Sequence, residues 1–167
     1  MSVEAIILAA GQGTRMKSSL PKVLHSLAGK PLLGHVLDVT RKLGVEHMHV
    51  IIGHGAEQVQ NQFADSDDVS WVVQQERLGT GHAVLQAMPK IKNDSTVLIL
   101  YGDVPLLSAS TLKQLLGAAG EKKLGLLTVE LDNPTGYGRI LRDDNGRVYA
   151  NVEEKDANTE QRQVREV

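Results

Sequence analysis

Val3-Glu4-Ala5-Ile6-Ile7-Leu8-Ala9-Ala10-Gly11-Gln12-Gly13 opens the chain and decides how the rest is read. Val3 to Ala9 is a short β-branched and aliphatic run, the pattern of a strand covered on both faces, and it empties into a glycine-rich loop. The same grammar returns at Thr96 to Tyr101 (TVLILY), the strongest strand signal in the chain, with Gly102-Asp103 directly after it. Between these two runs, Pro31 to Leu43 carries apolar residues at 32, 33, 36, 37, 39 and 43, close to helical spacing, and Gly44 stops it. Met48 to Ile52 reads as a strand, Ala56 to Phe63 as a short helix and Trp71 to Val73 as a third strand. Thr80 to Met88 is a helix closed by Pro89. Ser108 N-caps a helix to Ala119, and Leu124 to Leu131 reads as a further strand. Repeated alternation of strand and helix predicts parallel strands joined by right-handed crossovers, an α/β fold with a doubly wound, mostly parallel sheet. Past it the pattern changes: Tyr137 to Glu154 is a hairpin around Asp144-Asn145-Gly146, and Ala157 to Val167 is polar.

Composition narrows the function classes. The 167 residues are 41% hydrophobic and 23% charged, enough for one soluble domain with a real core. Lys and Arg number 18 against 20 Asp and Glu, so no basic excess points to nucleic acid as a main partner. The absence of cysteine excludes a disulfide framework, cysteine-ligated zinc and thiol catalysis together. The longest apolar run, Ala5 to Ala10, is far short of the roughly 20 residues of a membrane span. No secretory leader pattern precedes it, so a cytoplasmic protein without a membrane partner is expected. Sixteen glycines with only 3% aromatics imply an aliphatic core and many backbone sites kept clear of side chains.

In a doubly wound sheet, ligands sit at the carboxyl ends of the strands. Gly11 and Asp103 both fall there. Small residues at 9, 10, 11 and 13 let backbone N–H groups come close to a phosphate or base, and Arg15 and Lys22 add cations suited to several phosphate oxygens. The known phosphate loops do not fit, since position 16 is Met where G-x-G-x-x-G needs glycine. A plain strand-to-helix turn with solvated bases is the competing reading. Asp103 offers the hard oxygen that Mg²⁺ takes, or it simply starts a turn. Gln74 can read a pyrimidine edge, and Gly79 and Gly81 flank Thr80 at a helix start; the bland alternative is a polar strand end and a glycine cap. Pro134 to Ile140 (PTGYGRI) reads on its own as a turn, and Val152 to Asp156 (VEEKD) as a solvated charge run. His47 and His49 alternate on a strand, but no carboxylate can be placed beside them, so they read as ordinary histidines; Trp71 reads as core.

Leu8-Ala9-Ala10-Gly11-x-Gly13-Thr14-Arg15-Met16 with Pro21-Lys22 resembles the opening of the sugar-nucleotide nucleotidyltransferases. Gln74-x-x-x-Leu78-Gly79-Thr80-Gly81-His82-Ala83, and Val23-Leu24-His25 after Lys22, resemble one branch, the bifunctional N-acetylglucosamine-1-phosphate uridyltransferases / glucosamine-1-phosphate acetyltransferases. The isoprenoid-pathway cytidylyltransferases share only Ala9-Ala10-Gly11-x-Gly13-x-Arg15-Met16 and Pro21-Lys22. The resemblance covers essentially the whole chain and implies a Rossmann-like nucleotidyltransferase fold. It implies UTP and N-acetylglucosamine 1-phosphate as substrates, and UDP-N-acetylglucosamine and pyrophosphate as products. It gives Arg15 and Lys22 a catalytic role on the triphosphate, and Mg²⁺ a ligand in Asp103. Leu8, Ala9, Tyr101 and Gly102 are then substrate contacts, Ala10, Gly11, Gln74, Gly79 and Thr80 hold the nucleotide, and Gly138 and Glu153 contact the amino sugar. Each substrate carries its own nucleophile or leaving group, so no protein nucleophile is required. In the family the domain continues past Val167 with further asparagine ligands, then a β-helix of hexapeptide repeats. Residues 1–167 are accordingly expected to be the N-terminal portion of a nucleotidyltransferase domain, from a full-length protein that trimerises through the part beyond. A related cytidylyltransferase and a nucleotide-binding fragment without turnover remain the alternatives.

Overall fold

The computed structural model describes residues 2–13, 16–76, 78–120 and 123–167. They form two compact units, Met1–Lys123 and Leu124–Val167. In chain order the first contains β1 (Val3–Leu8), a small hairpin of β2 (Ser26–Leu27) and β3 (Lys30–Pro31), α1 (Leu32–Arg41), β4 (His47–Ile52), α2 (Ala56–Gln62), β5 (Val69–Val73), α3 (Thr80–Ala87), β6 (Thr96–Tyr101) and α4 (Ala109–Ala119).

β1 runs through the middle of a parallel sheet ordered β5-β4-β1-β6. Ala5, Ile6 and Ile7 have no exposed surface, because helices cover both faces. On one face Ala5, Ile7, Val50 and Leu100 pack against Leu33 and Leu37 of α1, Val59 of α2 and Leu112 of α4. On the other, Ile6, Ile51 and Val72 meet Ala83 and Ala87 of α3. The chain steps outward from β1 to β4 and β5, then returns to lay β6 on the opposite side of β1. That reversal sends the loops after β1 and β6 in opposite directions and opens a crevice at their carboxyl ends. The expected doubly wound sheet is what the chain builds.

Ser108 caps α4 as expected, its hydroxyl accepting the Thr111 N–H at 3.0 Å. The β2–β3 hairpin was not foreseen. Its two-residue turn places Ala28 and Gly29 at φ of 50° and 80°, the twist such a hairpin needs, and alanine is a poor advertisement for it. No helix among the described residues is long and apolar enough to cross a membrane.

In the second unit the strand expected over Leu124 to Leu131 does not form. Val129 and Val167 exchange backbone hydrogen bonds of 3.0 and 2.9 Å, and Glu130 bridges Glu166, but no partner ladder flanks the residues before them among those described. Strand composition marks a readiness to pair, and without a neighbour Leu124, Leu126 and Leu127 stay exposed. The expected hairpin is present as β7 (Arg139–Arg142) and β8 (Val148–Val152). Asp143 Oδ1 accepts the N–H groups of Asn145 and Arg147 in its turn, and Gly146 takes φ 76°. Hydrogen bonds from the Arg142 guanidinium and the Thr128 hydroxyl hold the Glu166 carboxyl down at about 2.

Candidate functional site

The sheet extends one bond beyond β1 on each side: Gly102 N–H donates to Leu8 O at 2.9 Å, and Ala9 N–H to Ile51 O at 2.8 Å. Ala9 and Ala10 are therefore fixed and buried before the loop begins. Gly102 is tightly enclosed; a Cβ there would stand 3.2 Å from Leu8 O and 3.3 Å from Ala9 Cβ, so its neighbours would have to give by a few tenths of an ångström. Gly13, at φ 61°, lets the loop fold against Lys22, whose Cβ a side chain at 13 would meet at 2.8 Å. Lys22 opens a 3-10 turn ending at Leu24, in which Val23 and Leu24 are buried and anchor its backbone. From there Lys22 Nζ donates to Asp103 Oδ2 just after β6, with both side chains only partly exposed.

These groups line a cleft of about 300 Å³. Leu8, Ala9, Ala10 and Gly11 form its base along the end of β1, and Lys22 and Val23 one wall. Gln74, Gly79, Thr80 and Ala83 come from the end of β5 and the start of α3, and Tyr101 and Asp103 from the end of β6. Gly102 permits the close approach of the two strand ends without facing the cavity. Arg15 lies outside the described residues. Sequence reasoning missed Val23 and Ala83. The signals were there: Val23 sits inside the Pro-Lys-Val-Leu-His string, and Ala83 is three residues beyond Thr80, on the same face of the helix.

Gln74 continues β5 by donating its N–H to Ile52 O at 2.8 Å and is 6% exposed. Its Nε2 lies 3.3 Å from Gly79 O and 3.0 Å from His82 Nδ1. The far ring nitrogen of His82 lies 3.1 Å from the Gln86 amide, one helical turn on.

Among the described residues no three His, Cys, Asp or Glu side chains gather in a group able to hold a metal alone. Asp103 is the cleft's carboxylate. One carboxylate, with the remaining positions taken by phosphate oxygens and water, is a donor set that suits Mg²⁺ arriving with a nucleotide.

In the second unit the β7–β8 register pairs Arg139 with Val152, which sets Gly138 and Glu153 across from each other at the ladder's end. Asn151 Oδ1 occupies the space a side chain at 138 would need, at 2.5 Å. Glu153 is exposed, whereas its neighbour Glu154 accepts the Gly136 N–H and lies 3.6 Å from the buried Arg139 guanidinium. The charge run is thus only partly solvated.

A further polar cluster lies at the amino ends of the first unit's strands. His49 Nε2–H donates to Glu4 Oε2 at 2.9 Å, both side chains being buried; Glu4 Oε1 accepts the Lys92 N–H at 3.0 Å and the Ser95 hydroxyl at 2.7 Å. Burial alone would raise the Glu4 carboxyl, but these hydrogen bonds hold it down at about 2. Burial, and then the neighbouring His49, push His47 below its ordinary value. Glu4 is the carboxylate that could not be placed from the sequence, because only the β1–β4 pairing brings it to His49.

A family model described as the MobA-like NTP transferase domain matches residues 5–159. The bifunctional protein GlmU of Marinobacter nauticus is 56% identical over 165 residues, which is 99% of this chain and 36% of that protein. GlmU of Pseudomonas aeruginosa is 59% identical over 167 residues, 100% of this chain and again 36% of the relative. The chain therefore spans about a third of the length of these curated relatives. Among solved structures, HddC from Yersinia pseudotuberculosis superposes with a TM-score of 0.74 at 25% identity, covering 90% of this chain and 68% of that one. A structure of HddC complexed with GMP-PN gives 0.73 at 26% identity, with the same coverage of both chains.

Proposed function

The chain belongs to the MobA-like NTP transferase domain family, and from that premise we propose that it serves uridylyl transfer from UTP to N-acetylglucosamine 1-phosphate, releasing pyrophosphate. The observation that carries this reading is a single cleft combining a backbone cradle at Ala10 and Gly11, a carboxamide at Gln74 and a Lys22–Asp103 pair. A base, a triphosphate and its counter-charges find matching groups there. Identity of 59% to a GlmU along the whole chain supports the uridylyl branch over a cytidylyltransferase.

In this reading a phosphate oxygen of the sugar phosphate attacks the α-phosphorus of UTP. The bond from that phosphorus to the bridging oxygen breaks, and pyrophosphate leaves with the electron pair. Lys22 and Arg15 bind phosphate oxygens and offset the charge gathering on them, so the chain acts by positioning and electrostatics. Asp103 would hold Mg²⁺, which when bound neutralises phosphate charge. Leu8, Ala9 and Tyr101 shape the floor, Gly102 lets the two strand ends close up behind it, Gln74 meets the uracil edge, and Gly79 and Thr80 support the nucleotide. Gly138 and Glu153 are assigned to the amino sugar. The setting proposed is cytoplasmic, with the UDP-N-acetylglucosamine feeding peptidoglycan and lipopolysaccharide synthesis. The full-length protein is proposed to be a homotrimer.

The test is Asp103→Asn in the full-length protein, followed by pyrophosphate release at saturating UTP, sugar phosphate and Mg²⁺. Turnover should fall by roughly 100-fold with thermal unfolding unchanged, since the substitution keeps size and removes charge. Near-native turnover in the variant, or none in the wild type, overturns the assignment.

A further inference from the structure

We propose that His82, backed by Gln86, fixes which end of the Gln74 carboxamide faces the cleft and so selects a pyrimidine that carries a ring N–H. The inference rests on the reading of Gln74 as the base-facing residue.

The argument is a proton count. A carboxamide nitrogen has two protons to give, and Gln74 Nε2 has two acceptors within reach, Gly79 O at 3.3 Å and His82 Nδ1 at 3.0 Å. With both engaged, Oε1 is the end left for a ligand. Turning the amide over would set Oε1 against the Gly79 carbonyl and a ring lone pair, two repulsions in place of two bonds.

This works only if His82 Nδ1 bears a lone pair, and Gly79 and Gln86 together supply that condition. A neutral imidazole has one N–H and one acceptor, so it cannot accept from two amides. The Gly79 carbonyl anchors the Gln74 nitrogen, which assigns the acceptor to Nδ1 and the proton to Nε2. Gln86 Nε2 stands 3.1 Å from the far ring nitrogen and 3.5 Å from the His82 carbonyl oxygen; turning the amide gives up only the longer, weaker of these contacts and sets its oxygen to accept the ring proton. The Gly79 carbonyl and the turned Gln86 amide together hold this tautomer of His82, and the Nδ1 lone pair it leaves holds Gln74 in its orientation.

The consequence is chemical selection. An oxygen facing the base accepts the N3–H of uracil, but it confronts the N3 lone pair of cytosine. Once His82 cannot accept, only Gly79 biases the amide, and the carboxamide can rotate to suit either base.

The experiment titrates UTP and CTP, each with Mg²⁺, into the full-length protein, its His82→Leu and its His82→Asn variants, with thermal unfolding of all three. Leucine keeps bulk and loses the acceptor. Asparagine restores an acceptor near the Nδ1 position. The UTP-over-CTP affinity ratio should fall by about tenfold in His82→Leu, the scale of one such hydrogen bond, and return to within about threefold of wild type in His82→Asn. Three results overturn the proposal: no discrimination in the wild type, an unchanged ratio in His82→Leu, or equal loss in both variants. Intact discrimination in binding without uridylyl transfer would overturn the catalytic reading alone and leave this one standing.

Discussion

Lys22 and Gln74 line one cleft with different chemistry, a cation that meets phosphate and a carboxamide that meets a base edge. Lys22→Ala should lower the rate of transfer by roughly 100-fold and leave the UTP-over-CTP preference standing. Gln74→Ala should do the reverse, eroding the preference by about tenfold with the smaller loss of rate. Steady-state kinetics with both nucleotides separates the two, and a Lys22→Ala enzyme that loses selectivity while keeping its rate would reverse the roles. Glu4 makes a different kind of prediction. Its carboxyl titrates at about 2 in the fold against 4.5 as the ordinary value, so the unfolded chain takes up the proton first. The stability it contributes is complete above pH 4.5 and drains away as the pH falls toward 2. His47 is also lowered, from 6.5, and because the fold disfavours its charged form, a smaller loss begins below that pH. Glu4→Gln should cost about 3 kcal/mol at neutral pH, the scale of a broken buried pair, and should flatten the acid limb of a urea-midpoint profile. Glu166, held at about 2 as well, will keep some slope. A variant with the wild-type acid limb would mean that Glu4 does not set it.

At the scale of elements, α4 owes its start to one hydroxyl. Ser108→Ala removes the acceptor of the Thr111 N–H and should destabilise the fold by about 1 kcal/mol in denaturant melts; an effect near zero would mean that water replaces the cap without cost. Such local devices are what the sequence discloses well. β1 and β6 were legible as continuous aliphatic runs, α4 by its serine, and the β7–β8 hairpin by Asp-Asn-Gly. What failed to show depends on distant neighbours. The run from Leu124 has strand composition, yet composition cannot say whether a ladder lies beside it. The β2–β3 turn hides behind an alanine at φ 50°. In the site, the strand-end residues could be read because a doubly wound sheet puts ligands there, and Ala10, Gly11, Lys22 and Asp103 do come to one cleft. The support behind them could not be read. Glu4 reaches His49 only through strand pairing, and the use of His82 appears only when α3 brings its ring to Gln74.

For the whole molecule, the decisive feature is the outer edge of β6. Among the described residues β6 pairs with β1 alone, so no strand ladder runs along its far side. The strand also exposes Ile99 at 43% and Tyr101 at 52%, on the face that α3 covers only farther along the sheet. An open edge beside exposed apolar side chains is a template for another strand, and in a purified chain the available strand belongs to a second copy. Residues 1–167 expressed alone should therefore associate as concentration rises, which sedimentation or light scattering will read. Ile99→Lys should suppress that association, because a charge on an edge strand must be desolvated before another strand can dock. Ile99 is absent from the cleft lining, so UTP binding should survive the change and serve as the check that the fold is intact. A wild-type chain that stays monomeric across the concentration range, or an Ile99→Lys chain that binds UTP and still associates, would show that the β6 edge is not the surface through which copies meet.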